Sequence, residues 1–209
     1  MGLPLPPAPD ADGRSILIYG GSTATGIYGI QFAKLSGLKV IVTASPHNFD
    51  YLKSLGADAV FDYKSPTVAA DIRDYTNNSL TLAWDCTGLG AAICAGALSS
   101  DGGKYANIIP VKREQLTDVN PNVDGPYGTL MYTIFGERFS KGKEYPPDAD
   151  EFEFAVKFSE IVRKLIVDGK LKAPTTFVNR GGDGFEGILK GLEELKADKV
   201  SGGKLVYKL

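Results

Sequence analysis

The first regular stretch of the chain is a short apolar run, Ile16 to Tyr19, ending on Gly20 and Gly21. An apolar run of that length closed by turn residues is the pattern of a strand buried on both faces. From Gly26 to Leu35 the period changes. Ile27, Ile30 and Ala33, with Phe32 beside them, recur at helical spacing, and Gly37 supplies the stop. Leu38 to Ser45 is β-branched again and reads as a second strand. Asn48 is placed to cap a short helix carrying Phe49, Leu52 and Leu55, which Gly56 closes. Ala59 to Tyr63 makes a third strand, and Pro66 opens a helix over Thr67 to Tyr75. Leu80 to Cys86 makes a fourth strand, followed by a small-residue helix over Ala91 to Leu98. Gly103 to Ile109 makes a fifth, stopped by Pro110. Strands and helices that alternate through short connections predict an α/β fold. The expectation is a Rossmann-type, doubly wound, parallel six-stranded sheet with helices on both faces and a C-terminal extension.

The second half is less regular. Lys112 to Gly128 reads as loop, and Thr129 to Phe135 as the sixth strand. A polar loop from Arg138 to Asp150 precedes a long amphipathic helix, Glu151 to Val167, whose apolar stripe is Phe154, Phe158, Ile161 and Leu165. A short strand near Thr176 to Val178, a helix near Phe185 to Lys196 and a last strand from Lys204 complete the chain. Residues 1–14 are proline-rich, with no cationic front and no apolar stretch of a signal peptide. They read as an interdomain linker, and residues 15–209 as one Rossmann-like domain with a C-terminal helix and strand.

Composition narrows the class. With 209 residues, 43% of them hydrophobic, the chain can bury one sizeable core. A net charge of −2 without a basic stripe gives no case for a nucleic-acid or membrane-surface partner. No apolar run reaches the roughly 20 residues that span a bilayer. Two cysteines, Cys86 and Cys94, and one histidine, His47, are too few for a disulfide framework or a zinc site. No metal is expected, and a reducing, cytoplasmic compartment is.

The chemistry concentrates at strand ends. A pyrophosphate needs backbone N–H groups aimed at it with little bulk nearby, and a strand entering a helix through a glycine turn supplies both, with the helix dipole. Gly20 permits the turn, and Gly26 permits close packing of helix on strand. Ser22, Thr23 and Thr25 add hydroxyls, and the amides from Ser22 through Ala24 to Thr25 face the same space. The pattern is G-x-x-T-x-x-G, with Thr23 where the middle glycine usually stands. Alone it also fits a packing turn that binds nothing. The end of the second strand is the other test. A protein reading NAD carries an acidic residue there for the ribose diol. Here the strand ends T-A-S-P-H-N, and the first carboxylate is Asp50, already in the next helical turn. Ser45, His47 and Asn48 are neutral donors suited to a 2′-phosphate, and Tyr63 at the end of the third strand adds a phenol. His47 alone would read as a surface-loop histidine. The two turns lie the ~20 residues apart expected of a nucleotide-binding βαβ unit.

These words, G-G-S-T-A-T-G, S-P-H-N, F-D-Y-K, W-D-C-T-G and K-V-S-G-G-K, resemble the medium-chain dehydrogenase/reductase superfamily. They are most similar to its fungal zinc-binding-type oxidoreductases, the branch of secondary metabolism that includes trans-acting enoyl reductases. The resemblance runs from Leu3 to Leu209. It implies NADPH held by Ser22, Thr23, Ala24 and Thr25 at the pyrophosphate. It also implies Ser45, Pro46, His47, Asn48 and Tyr63 around the 2′-phosphate, Ile109 and Pro110 along the nicotinamide ribose, and Val200 and Ser201 closing over the nicotinamide end. The implied reaction is hydride transfer to a polarised double bond or carbonyl of a small molecule. The family's GroES-like domain is an expected partner, as is a polyketide synthase or acyl carrier. The isolated cofactor portion is expected not to turn over. No catalytic residue is identified, since Tyr127 and Tyr132, though in the segment that should face the cleft, read better as packing aromatics. A stand-alone NADPH-binding module, or a quinone or alcohol dehydrogenase-type reductase, remains open.

Overall fold

Period-2 alternation in the first strand sorts its side chains onto two faces. In the computed structural model, which describes residues 2–7 and 13–209, this alternation builds two cores, one on each side of a sheet. Strand β1 (Ser15–Tyr19) sends Ile16 and Ile18 to one core and Leu17 and Tyr19 to the other. Helix α1 (Ala24–Leu35), β2 (Lys39–Ala44) and α2 (Phe49–Ser54) follow, and Ile27, Ile30, Ala33 and Leu52 cover Ile16 and Ile18. Then come β3 (Ala59–Asp62), α3 (Val68–Tyr75), β4 (Leu82–Asp85), α4 (Ala91–Ala97) and β5 (Gly103–Asn107). Val68, Ile72, Ala91 and Cys94 cover the other face, against Leu17, Ala83 and Tyr105. Strands buried on both faces explain why the sequence reads as apolar runs there. A four-residue helix α5 (Glu114–Thr117) leads to β6 (Val123–Tyr127).

The sheet order is β3-β2-β1-β4-β5-β6, with parallel pairing from β3 through β5. The chain winds outward from β1 to β3 and then returns to the opposite side of β1, so the topological switch lies between β1 and β4. The expected fold class is therefore present. Its sixth strand is not the expected one. Thr129 to Phe135 does not extend, and Met131–Phe135 forms a 3₁₀ turn. The sixth strand is Val123–Tyr127, from within the stretch read as loop. An edge strand bonds on one side only, so Gly125 and Pro126 are tolerated there.

The chain divides into two units, Met1–Pro126 with Ala173–Leu209, and Tyr127–Lys172. The second contains a hairpin of β7 (Phe139–Ser140) and β8 (Glu144–Tyr145) inside the expected polar loop, then α6 (Ala149–Val167), capped by Asp148 accepting from Glu151 N at 3.0 Å. Of the expected α6 stripe, Leu165 is buried, Phe158 and Ile161 are half-buried and Phe154 is exposed. The first unit ends with β9 (Thr175–Val178), α7 (Gly184–Lys196) and β10 (Gly203–Val206), β9 and β10 forming a parallel pair. In the expected linker, residues 8–12 lie outside the described residues. Leu3 packs on the core that holds Ile16, and Ser36 Oγ donates to Pro4 O at 2.9 Å.

Candidate functional site

The carboxyl ends of β1, β2, β4 and β5 bring the expected binding residues to one edge of the sheet, around the switch between β1 and β4. The turn after β1 is built by Thr23. Its backbone is extended (φ −72°, ψ 158°), its Oγ1 accepts from Gly26 N at 3.0 Å, and the same hydroxyl donates to Gly20 O at 2.8 Å. Thr23 is thus the N-cap of α1, which is why a threonine replaces glycine here. The cap takes the amide of Gly26, the third of the first helical turn. The amides of Ala24 and Thr25 have no carbonyl within the helix to bond and point out of its N-terminus. Gly20 has φ +79°. A Cβ at residue 26 would fall inside contact distance of the Gly20 carbonyl oxygen and the Gly21 backbone. Both glycines are therefore demanded by the turn's backbone. Thr43, fully buried in β2, ties it to the neighbouring strand: Gly20 N donates to its Oγ1 at 3.2 Å and Gly21 N to its carbonyl at 3.0 Å.

The exit of β2 forms the second group. Asn48 stands at the N-cap position of α2, yet its side chain makes no capping bond. It turns instead to the C-terminal segment, where Nδ2 donates to Ser201 Oγ at 2.8 Å, with His47 Nε2 3.4 Å from the same oxygen. Gly202, at φ +69°, allows this approach, since a Cβ there would lie 2.6 Å from Asn48 Oδ1. Tyr51 OH accepts from Thr175 N at 3.2 Å and fastens the same segment to α2. Ser201 thus groups with His47 and Asn48 on the β2 side of the switch, whereas the resemblance grouped it with Val200 at the nicotinamide end. Val200 precedes it, half-buried, and Ser45 is half-buried at the start of the turn. Tyr63 stands at the exit of β3 with its ring edge-on to Tyr19, centroids 6.3 Å apart.

On the other side of the switch, Asp85 organises the turn after β4. It is fully buried and accepts from Thr87 N (2.8 Å), Thr87 Oγ1 (2.9 Å), Gly88 N (2.9 Å), Gly90 N (2.8 Å) and Tyr105 OH (2.9 Å). The turn it shapes meets the exit of β5: a Cβ at Gly88 would lie 2.8 Å from the Cβ of Ile109. Ile109 and Pro110 are both exposed there. Asn107 at the end of β5 is 7% exposed, and its Oδ1 has no hydrogen-bond partner.

Neither Asp85 nor Asn107 was singled out from sequence. W-D-C-T-G carries the aspartate in plain view, but its role depends on backbone amides that converge only in the fold. Lys64 is a third residue of this kind. Its Nζ lies 5.8 Å from the Tyr63 ring centroid and brings positive charge to the exit of β3, a placement that F-D-Y-K could have suggested. The cysteines are not poised for chemistry. Burial, then the charge of Asp85, pushes the Cys86 thiol up to about 12, and the same two causes raise Cys94 well above its ordinary range. Among the described residues no group of three or more His, Cys, Asp or Glu side chains could hold a metal ion, and no helix is long and apolar enough to cross a membrane.

Residues 24–107 match the family model for the zinc-binding dehydrogenase. Along its whole length the chain is 45% identical to the trans-enoyl reductase ACTTS2 of Alternaria alternata, of which it spans 59%. It is 39% identical, again along its whole length, to the lovastatin nonaketide synthase enoyl reductase component lovC of Aspergillus terreus, of which it also spans 59%. The chain therefore covers less than two thirds of these curated relatives. Among solved structures, the CurK enoyl reductase superposes with a TM-score of 0.70 at 18% identity, over 96% of this chain and 56% of that one, a likeness of fold. Matches that run the whole length of this chain, joined to this sheet order, place it in a family. It belongs to the medium-chain dehydrogenase/reductase superfamily, and it presents that superfamily's Rossmann portion.

Proposed function

We propose that this chain is the NADPH-binding portion of an oxidoreductase of the enoyl reductase type. The observation that carries the reading is the exit of β2, where Asn48, His47 and the Ser201 hydroxyl converge with no carboxylate among them. A 2′-phosphate finds donors there, whereas an NAD ribose diol finds no anionic acceptor. The turn after β1 fits a pyrophosphate, because its glycines let the backbone close tightly against α1 and the neighbouring strands and the amides of Ala24 and Thr25 point outward. Ser22, Thr25 and the helix dipole complete that contact. Lys64 and Tyr63 add charge and an aromatic face beside Ser45 and Pro46. Asn107 Oδ1 is an acceptor that a ribose hydroxyl or carboxamide would satisfy, next to Ile109 and Pro110. The bound cofactor supplies hydride. The chain's own residues orient it along the strand ends and exclude water from one side of it.

The names of the relatives support an enoyl group as acceptor, and one of them is a component of a nonaketide synthase. An enoyl thioester as the substrate, and a GroES-like domain completing the cleft, are what the family resemblance adds to this reading. Titration of the chain with NADPH and NADH by calorimetry tests the cofactor. NADPH binding at least tenfold more tightly is the expected result. Equal affinities would refute the assignment of Ser45, His47, Asn48 and Ser201. Rapid oxidation of NADPH by an enoyl thioester with this chain alone would refute the expectation that the cleft needs a second domain.

A further inference from the structure

A cavity of about 410 Å³ lies wholly within the second unit. That volume is in the range of small-molecule sites, about 300–1,000 Å³. The rings of Tyr132, Phe135 and Phe139 wall it, with Arg138, Lys141 and Glu137 also in its lining. The wall is held by the hairpin. Phe139 stacks on Tyr145 with centroids 4.6 Å apart and planes 4° from parallel, and the Tyr132 ring lies 5.8 Å from Phe139, tilted by 60°. Gly136, left-handed at φ +67°, turns the chain from the Met131–Phe135 turn into β7, and a Cβ there would lie 2.9 Å from the Cβ of Phe152 on α6. Lys141 Nζ sits 5.0 Å over the Tyr132 ring. Among the described residues, neither Arg138 nor Lys141 forms an ion pair, although Glu137 lines the same cavity. Two cations against one carboxylate favour an anion, and the three rings favour an apolar or amide-bearing body attached to it.

We propose that this cavity is a subsite for a phosphorylated carrier arm of the 4′-phosphopantetheine class, with its phosphate between Arg138 and Lys141 and its chain along Tyr132, Phe135 and Phe139. The identity of this ligand rests on the enoyl-thioester reading above, because biological acyl thioesters are carried on that arm. The existence of an anion-plus-apolar site rests on the cavity alone. A phosphate at its rim would anchor the arm independently of the acyl chain, so recognition would follow the carrier and tolerate different acyl lengths. A free quinone or small carbonyl compound has no phosphate and would gain nothing from the site.

The test is calorimetric titration of the chain with 4′-phosphopantetheine, with unphosphorylated pantetheine and with inorganic phosphate, each in low and high salt. The phosphorylated arm is expected to bind at least tenfold more tightly than either fragment, with affinity that falls as salt rises. The Arg138→Gln/Lys141→Gln variant changes side chains on an exposed hairpin. It should weaken that binding about tenfold and leave NADPH binding and melting temperature unchanged. Pantetheine binding as tightly as its phosphate would overturn the proposal. So would inorganic phosphate matching the whole arm, an unaffected double variant, or displacement of the arm by NADPH. A flat NADPH titration beside intact binding of the arm would refute the cofactor assignment and leave this subsite standing.

Discussion

Asp85 offers the sharpest quantitative test of how the fold makes the site. Its Oδ1 accepts from Thr87 N, Thr87 Oγ1 and Gly88 N, and its Oδ2 from Gly90 N and Tyr105 OH. Asp85→Asn preserves shape and one oxygen. If that oxygen serves Thr87 and Gly88, the new NH₂ faces the Gly90 amide, donor against donor. A buried donor left without an acceptor costs about 1–3 kcal/mol. The surviving bonds also lose the assistance of a full charge, which is worth roughly half their strength. A neutral amide is cheaper to bury than a carboxylate, and this offsets part of the loss. The net expectation is a destabilisation of about 2–4 kcal/mol. Tyr105→Phe removes one donor and leaves the carboxylate with its backbone partners, so about 1 kcal/mol is expected. In the double variant the second change should cost less, because the phenol can no longer donate to the replaced oxygen. A coupling of at least ~0.5 kcal/mol follows. Urea unfolding measures all three, provided the slope m is constant across the variants. Loss of the Asp85 charge should also lower the Cys86 thiol, held up first by burial and second by that charge, which a thiol titration reads directly. A shift under 0.5 kcal/mol for Asp85→Asn, or strict additivity with Tyr105→Phe, would refute the view that this carboxylate builds the turn.

Further outcomes follow from the same geometry. Thr23→Ala removes the cap on α1 and should destabilise the chain by about 1 kcal/mol and weaken NADPH, whereas Thr23→Ser should do neither, as urea unfolding and titration would show. Gly26→Ala puts a methyl group against the Gly20 carbonyl and Gly21 backbone, which cannot yield as a side chain could. Lost NADPH binding is expected even in protein whose circular dichroism stays native. Asn48→Ala should weaken NADPH and leave NADH unchanged, and should increase proteolysis near Thr175 and Ser201 because the C-terminal segment loses its fastening. On pH, burial raises the folded pKa of Cys86 from 9.0 and of Tyr19 from 10.0 to about 12, so the neutral forms belong to the fold. Their contribution is whole below about pH 9 and is lost as pH rises towards 12. Melting temperatures should therefore fall across that window, and thiol reagents at neutral pH should label the cysteines only on unfolding.

What the sequence makes legible is what a single segment decides. The β1 run, the α1 spacing and the Gly20 and Gly26 positions are local demands, so the first half of the sheet could be read in order. The sixth strand could not. T-L-M-Y-T-I-F has the better β composition, yet V-D-G-P-Y takes the edge, because an edge position forgives proline and glycine. The choice belongs to the sheet's border, which no window of sequence contains. The site divides along the same line. Thr23 looked like an exchange for a missing glycine, and its neighbours made it a plausible hydroxyl donor. The structure uses that hydroxyl twice within the turn, on Gly20 O and Gly26 N, which leaves Ala24 and Thr25 amides for an anion. Asn48 and Ser201 lie 153 residues apart in sequence and share one hydrogen bond. Resemblance named both as cofactor residues, but only the fold shows that they hold each other. A phosphate arriving at Asn48 must therefore either share the Ser201 hydroxyl or displace it. If NADPH binds as proposed, the segment from β9 to β10 should respond to which nicotinamide cofactor is bound, because only the one with a 2′-phosphate would reach that bond.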